Sequence, residues 1–349
     1  MRKLATIQKI KDIRPIPNAD NIDVATVNGW NVVVKKGLYE VGEKVIYCEV
    51  DSFLPIEPEF EFLRKSSFKT LPNGDEGFRL KTIKMRGQVS QGLVIPLEDA
   101  QSITERNNCR VDLKLEEVGT DVSNLLGITK YERPIPANLS GVMKGDFPSF
   151  IKKTDQERIQ NLTEEYEQMK QKTWFVTEKL EGSSATFYLR DGEFGVCSRN
   201  IELVESDDNT LWRVARELNV EEKLREFSEN GGSDIAIQGE IIGAGVQGNI
   251  YKLNSQTIRF FSSFSIENYS YDWPPHYEML VGGDLGLETV PIIDRNFKLP
   301  DTIEELLDYA EGESQLRSGV EREGIVLTNI FDGNDSFKVI SNKYLLNEK

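Results

Sequence analysis

The run Trp174-Phe175-Val176-Thr177-Glu178-Lys179-Leu180-Glu181-Gly182-Ser183-Ser184 puts a lysine at the end of an apolar segment and a glycine three residues later. The aromatic and β-branched residues of Trp174–Lys179 read as a strand, and Gly182 lets the chain turn sharply after it. A lysine so placed projects into whatever cleft lies at the strand end, between the carboxylates of Glu178 and Glu181. It is a nucleophile only when its amine is neutral, which needs burial or nearby cations. Further strands are predicted at Ser184–Leu189, Phe194–Ser198, Asp234–Ile241, Thr257–Ile266, Gly324–Asn329 and Ser336–Ile340, with helices at Leu211–Phe227 and Thr302–Tyr309. Strands outnumber helices and no βαβ alternation appears, so this half is α+β with antiparallel sheets.

Residues 1–140 read differently. Trp30–Val34, Lys44–Val50, Phe78–Lys84 and Val89–Pro96 are short apolar or alternating runs separated by glycine turns, as in a small β-barrel. Five such strands fit an OB-type barrel, although periodicity does not separate that barrel from others. The Pro-, Gly- and Asn-rich stretch 134–148 predicts a linker. Thr154 with Glu157 three residues on predicts a capped helix over Thr154–Lys170. The expected organisation is a barrel domain at 1–140 and a second domain at 141–349, of which 141–173 are linker and leading helix.

Composition excludes several classes. Three cysteines (Cys48, Cys109, Cys197) without a CxxC pair exclude a disulfide framework and a cysteine zinc site, and the single His276 excludes histidine-rich metal sites. No apolar run is long enough to span a membrane, and Met1–Lys9 lacks an apolar signal core, so an intracellular, cytoplasmic protein is expected. The net charge of −16 is unevenly spread: residues 1–150 carry 21 basic and 21 acidic residues, and residues 151–349 carry 21 and 37. A polyanion would therefore have to find a local basic groove.

Other short runs carry chemistry. Glu240 is embedded in Ile235-Ala236-Ile237-Gln238-Gly239-Glu240-Ile241-Ile242-Gly243, where a carboxylate must be paired, hydrogen-bonded or metal-linked. Glu323 opens the strand Gly324–Asn329. Lys338 and Lys343 flank the end of the last strand and suit phosphate as point charges. Arg199 ends a strand, and Phe264 lies in an aromatic run able to stack on a base. Gly243-Ala244-Gly245-Val246-Gln247-Gly248 matches GxGxxG, but no helical pattern follows, so it reads as a loop.

In order, Lys179, Arg199, Glu240, Phe264, Glu323 and Lys338 resemble the motif series of the covalent nucleotidyltransferases. The chain is most similar to the ATP-dependent RNA ligases with an N-terminal OB domain. Phe150–Asn161, Glu178-Lys179 and Ser336-Phe337-Lys338 add to the likeness. The resemblance implies an OB-type barrel followed by a ligase-type antiparallel-sheet domain. It implies that Lys179 attacks the α-phosphorus of ATP and carries AMP, and that Glu178 touches adenine while Phe264 stacks on it. Arg158 and Arg199 would engage phosphate or ribose, Lys338 the α-phosphate, and Glu181, Glu240 and Glu323 would gather around Mg²⁺ or Mn²⁺ through water. AMP would pass to an RNA 5′-phosphate before a 3′-OH seals the break. The implied partner is RNA, a nicked duplex, acted on by a monomer with no membrane attachment.

Two departures stand out. The family more often has Asp where Glu181 stands, and a second lysine where Ile340 stands, so Lys343 is the candidate substitute. The basic run Arg79, Lys81, Lys84, Arg86 suggests that the barrel grips RNA, with Arg79 and Lys81 on one strand face. A DNA ligase, a capping-type guanylyltransferase and a non-catalytic nucleic-acid-binding protein are the alternatives.

Overall fold

In the computed structural model, which describes residues 2–132 and 137–347, the chain divides into two compact units. One comprises Met1–Pro134, Ile159–Glu164 and Leu345–Lys349; the other comprises Ile135–Arg158 and Glu165–Tyr344.

The first unit contains β1 (Ala5–Pro15), β2 (Ile22–Val27), β3 (Trp30–Lys35), β4 (Lys44–Cys48), β5 (Ser52–Leu54), β6 (Phe68–Thr70), β7 (Glu76–Arg79), β8 (Ile83–Met85), β9 (Gln88–Ser90), β10 (Leu93–Pro96) and β11 (Thr129–Lys130). Five strands run in the order β10-β4-β1-β2-β3, and four in the order β11-β5-β7-β6. The long β1 serves two partners: Ala5–Lys9 pair with β4, and Ile10–Pro15 with β2, across an irregularity between Ile10 and Asp12. A bulge there bends the strand, which curls the sheet. Ile7, Ile46, Leu54 and Phe78 fill one core, and Val27, Trp30 and Tyr47 another.

The second unit contains β12 (Met143–Asp146), β13 (Glu157–Arg158), β14 (Trp174–Lys179), β15 (Ser183–Arg190), β16 (Glu193–Ser198), β17 (Ile201–Leu203), β18 (Ile235–Gly243), β19 (Gln256–Ser265), β20 (Ser270–Tyr271), β21 (Ile292–Phe297), β22 (Gly324–Asn329) and β23 (Asp332–Ile340). One sheet has the order β12-β17-β16-β15-β18-β19-β20, the other β13-β23-β22-β14-β21. Pairing is antiparallel except between β13 and β23. Helices Thr210–Glu217 and Val220–Glu229 bury Leu211, Val214 and Leu224 against Phe187, Ile237 and Phe260 of the first sheet.

Several expectations are corrected. The helix over Thr154–Lys170 does not form. Glu157-Arg158 pair along β23, and the Glu157 carboxylate accepts from the Arg158 amide instead of capping a helix. Ile159–Asn161 form a 3₁₀ turn held within the first unit: Gln160 O accepts from Gly29 N, and Asn161 accepts from Trp30 Nε1 and donates to Glu49. Fixed hydrogen-bond partners outweigh a weak helical preference. Only Tyr166–Met169 is α-helical in that stretch. The expected linker 134–148 is partly structured, since Met143–Asp146 pair with β17; residues 134–136 lie outside the described residues. Leu211–Phe227 is broken at Asn219, whose φ of 51° is left-handed. Phe78–Lys84 is split into β7 and β8. The run after Gly243 turns without starting a helix.

Candidate active site

The second unit's five-stranded sheet sets the register of the site. Lys179 lies opposite Gly324, which lies opposite Ile340; one step along, Thr177 faces Val326 and Val326 faces Lys338. Alternation puts Lys179 and Lys338 on the same face of that sheet. Arg158 joins them through the parallel pairing of β13 with β23, next to Lys338. After Lys179 the chain turns into β15, and a Cβ at Gly182 would lie 2.2 Å from Ile241 O and 2.7 Å from Glu240 Cγ. Only glycine lets the turn pass so close to β18. That approach brings Glu240 to the lysine.

Lys179 Nζ donates to Glu323 Oε1 at 2.7 Å. Burial alone would pull the amine's pKa down; Glu323 and Glu240 outweigh it, with Arg158 opposing, and the net shift is upward. The amine is therefore held as an ammonium. Burial pushes the Glu240 carboxyl up to about 8, helped by Glu323 and resisted by Lys179 and Arg199. Asp155 bridges two cations, 3.6 Å from Arg199 and 3.9 Å from Lys338.

Glu178 is almost fully buried, at 1% exposure. Its Oε2 accepts from Gln315 N at 2.8 Å, while Oε1 has no partner. Burial raises its pKa, against Ser314, Gln315 and Arg322. Beside this strand Leu180, Ile242, Tyr251 and Val290 form a small apolar cluster against which Phe261 and Leu316 pack, half-buried.

The structure thus brings together Lys179, Glu240, Glu323, Arg158, Arg199 and Lys338, with Glu178 on the neighbouring strand position. Three expected residues are elsewhere. Phe264 is fully enclosed with Tyr188, Cys197 and Ala236, and Tyr269 and Tyr271 stand edge-on to it. It lies opposite Ala236, four strand positions from Glu240, with no face free for a base. Phe261, not singled out in the sequence, is the aromatic packed beside Leu180, and it sits at the irregularity in β18–β19 pairing, between Ser262 opposite Gln238 and Phe260 opposite Gly239. Lys343 is exposed and pairs with Glu311 at 2.7 Å, and Ile340 is buried, so no second lysine completes the last strand. Glu181 turns its carboxylate to Gly248 N at 3.4 Å. Among the described residues no three acidic, His or Cys side chains converge to hold a metal directly.

An OB-fold domain family model matches residues 4–97, and an RNA ligase family model matches residues 172–340. Solved structures of Naegleria gruberi RNA ligase are similar over nearly the whole chain. A lysine-to-methionine mutant with AMP and Mn is 40% identical, covering 99% of both chains at a TM-score of 0.91. A lysine-to-alanine mutant with ATP and Mn is 39% identical, covering 99% of both chains at 0.90. The chain belongs to the RNA ligase family. An aspartate-to-alanine form without ligand is 40% identical over 99% of this RNA ligase and 97% of the Naegleria chain, at 0.90. The mutated positions in the solved structures of that enzyme run lysine, arginine, lysine, aspartate, glutamate, glutamate, lysine in chain order. No curated protein matches the sequence.

Proposed function

We propose that this RNA ligase uses ATP to join a 3′-OH to a 5′-phosphate at nicks in duplex RNA, with AMP carried on Lys179. The observation that carries the assignment is the Lys179 amine, 2.7 Å from Glu323 and within the electrostatic reach of Glu240 and Arg158, with Arg199 acting on Glu240 and Lys338 paired beside Arg158. The order Arg158, Lys179, Glu181, Glu240, Glu323, Lys338 parallels the last six of the positions mutated in the Naegleria enzyme, and its complexes with ATP, AMP and Mn support the same cofactors here.

Glu240 and Glu323 fit a divalent cation: both address one amine, and with fewer than three carboxylates water completes the shell, as Mg²⁺ prefers. Such a cation would supply charge that offsets the α-phosphate and releases Lys179 from its carboxylates. The chain's own groups do the rest. Lys179, once neutral, bonds to the α-phosphorus as the bond to pyrophosphate breaks. Arg158, Arg199 and Lys338 stabilise charge growing on the phosphate oxygens. The RNA 5′-phosphate then displaces the lysine, and the 3′-OH displaces AMP. Glu178 Oε1, buried and unpartnered, accepts from the exocyclic amine of adenine and repels the carbonyl that guanine presents there. Phe261 supplies the stacking face.

The enzyme acts as a cytoplasmic monomer in this reading; no helix among the described residues is long and apolar enough to cross a membrane. Intact-protein mass after ATP and Mn²⁺ tests it. Wild type gains one AMP and Lys179→Ala gains none, whereas an adduct on Lys179→Ala overturns the assignment. GTP in place of ATP distinguishes a guanylyltransferase, and RNA against DNA 3′-OH strands distinguishes a DNA ligase.

A further inference from the structure

The basic stripe expected on the barrel is not where the sequence suggested. Arg79 is buried, stacked over Tyr131 at 4.2 Å and 3.7 Å from Asp51, so it serves the fold. The free cations lie further on. β8 and β9 form a two-stranded hairpin outside the larger sheets, closed by Arg86-Gly87 with φ of 49° and 86°. Two positive φ values make this a type I′ turn. Ile83, Lys84, Met85 and Arg86 are all exposed.

The base of the hairpin is fastened to β3. Gln91 N donates to Asn31 O at 2.8 Å, and Val33 N donates to Ser90 Oγ at 2.9 Å. Along β3 these bonds advance from Asn31 to Val33 as they step back from Gln91 to Ser90, so Lys35 and Lys36, at the end of β3, lie toward the hairpin tip. Lys35 and Lys36 are also exposed. No ion pair engages Lys35, Lys36, Lys84 or Arg86 among the described residues. Asp23, opposite Val34, is buried, and Asp20 lies beside Asn21, whose carbonyl accepts from Lys36 N. Neither Val24–Tyr39 nor Gly77–Leu97 contains an acidic residue, in a chain of net charge −16.

We infer that the tip of the β8–β9 hairpin, with Lys35, Lys36, Lys84 and Arg86, is a docking surface for the phosphate backbone of an RNA duplex. The inference rests on the RNA ligase assignment and names where its substrate is gripped away from the chemistry. Cations with no ion pair, on two segments that contain no acidic residue, favour a polyanion, and Ile83 and Met85, 46% and 38% exposed, suit contact with sugar edges.

The test is binding of a nicked RNA duplex lacking the 3′-OH at the nick, titrated with wild type and with Lys84→Gln/Arg86→Gln. Each lost phosphate contact lowers the slope of log Kd against log salt by about 0.9. The double variant should bind more weakly with a slope lower by about 2, so that its penalty shrinks by about tenfold from about 50 to about 200 mM salt. Its AMP adduct should form as in wild type. Lys35→Gln/Lys36→Gln should repeat the result and guards against a folding defect in the hairpin. An unchanged slope in both variants overturns the inference. So does a wild type that self-associates at low salt through this ridge, shown by sedimentation, with RNA affinity unchanged in the variants. If wild type itself forms no AMP adduct, the ligase assignment fails separately.

Discussion

Replacing Glu240 by glutamine should stabilise the metal-free protein at alkaline pH while abolishing its chemistry. Burial, with Glu323 adding to it, raises this carboxyl from 4.5 to about 8, against the pull of Lys179 and Arg199. Between those values the folded protein keeps a proton that the unfolded chain has lost. Stability therefore falls as pH rises through this window, at about 1.4 kcal/mol per pH unit. Carried across the whole window this is about 5 kcal/mol, and solvent screening of the half-buried carboxyl reduces it to about 2–3 kcal/mol. Glutamine keeps the size and never ionises. With chelator present, Glu240→Gln should melt several degrees above wild type at about pH 8.5 and together with it at about pH 5. It should form no AMP adduct at either pH. An equal effect at both pH values, or a loss of stability at the higher one, refutes the reasoning, because ionised Glu240 would then be a net stabilising partner of Lys179.

Manganese binding near neutral pH should release close to one proton, since Glu240 must ionise to hold it; calorimetric heats that do not depend on the buffer's ionisation enthalpy contradict this. Phe261→Ala should raise KM for ATP in adduct formation by roughly tenfold or more, the worth of one base stacked on a ring, with little change in melting temperature. Phe264→Ala should instead destabilise the protein by about 3–5 kcal/mol, as for a fully enclosed ring, so opposite behaviour of the two would restore the sequence-based assignment. Gly182→Ala should lose adduct formation through the clash with Ile241 O, detected by intact mass on protein whose circular dichroism is unchanged.

Most strands of the second unit were legible as apolar β-branched runs, and Lys179, Arg199, Glu240, Glu323 and Lys338 stand out because each sits at the end of, or alone within, such a run; Arg158 lies in a polar stretch and is suggested only by the family resemblance. A charge in such a place has few structural explanations. What escaped depended on partners distant in sequence. Thr154–Lys170 has a helix-start pattern, yet β23 and the Gly29–Trp30 turn take its backbone and side-chain hydrogen bonds. The aromatic expectation met a bulge between Gln238 and Gly239 that shifts the register of β19: Phe264 stays enclosed opposite Ala236, while Phe261 packs beside Leu180. Strand β21 went unseen because Asp294 and Arg295 interrupt its apolar pattern, although it borders β14 directly. Arg79 looked like a surface cation, and nothing in its local sequence announces Asp51 and Tyr131 beneath it.

The grip of Glu323 on the Lys179 amine also protects the resting enzyme. A primary amine kept as ammonium has no lone pair to offer, so the ion pair lowers its reactivity toward electrophiles such as cyanate, acyl phosphates and aldehydes. Reactivity is withheld until the carboxylates find another positive partner, and the warhead is armed only where its proper target is being loaded.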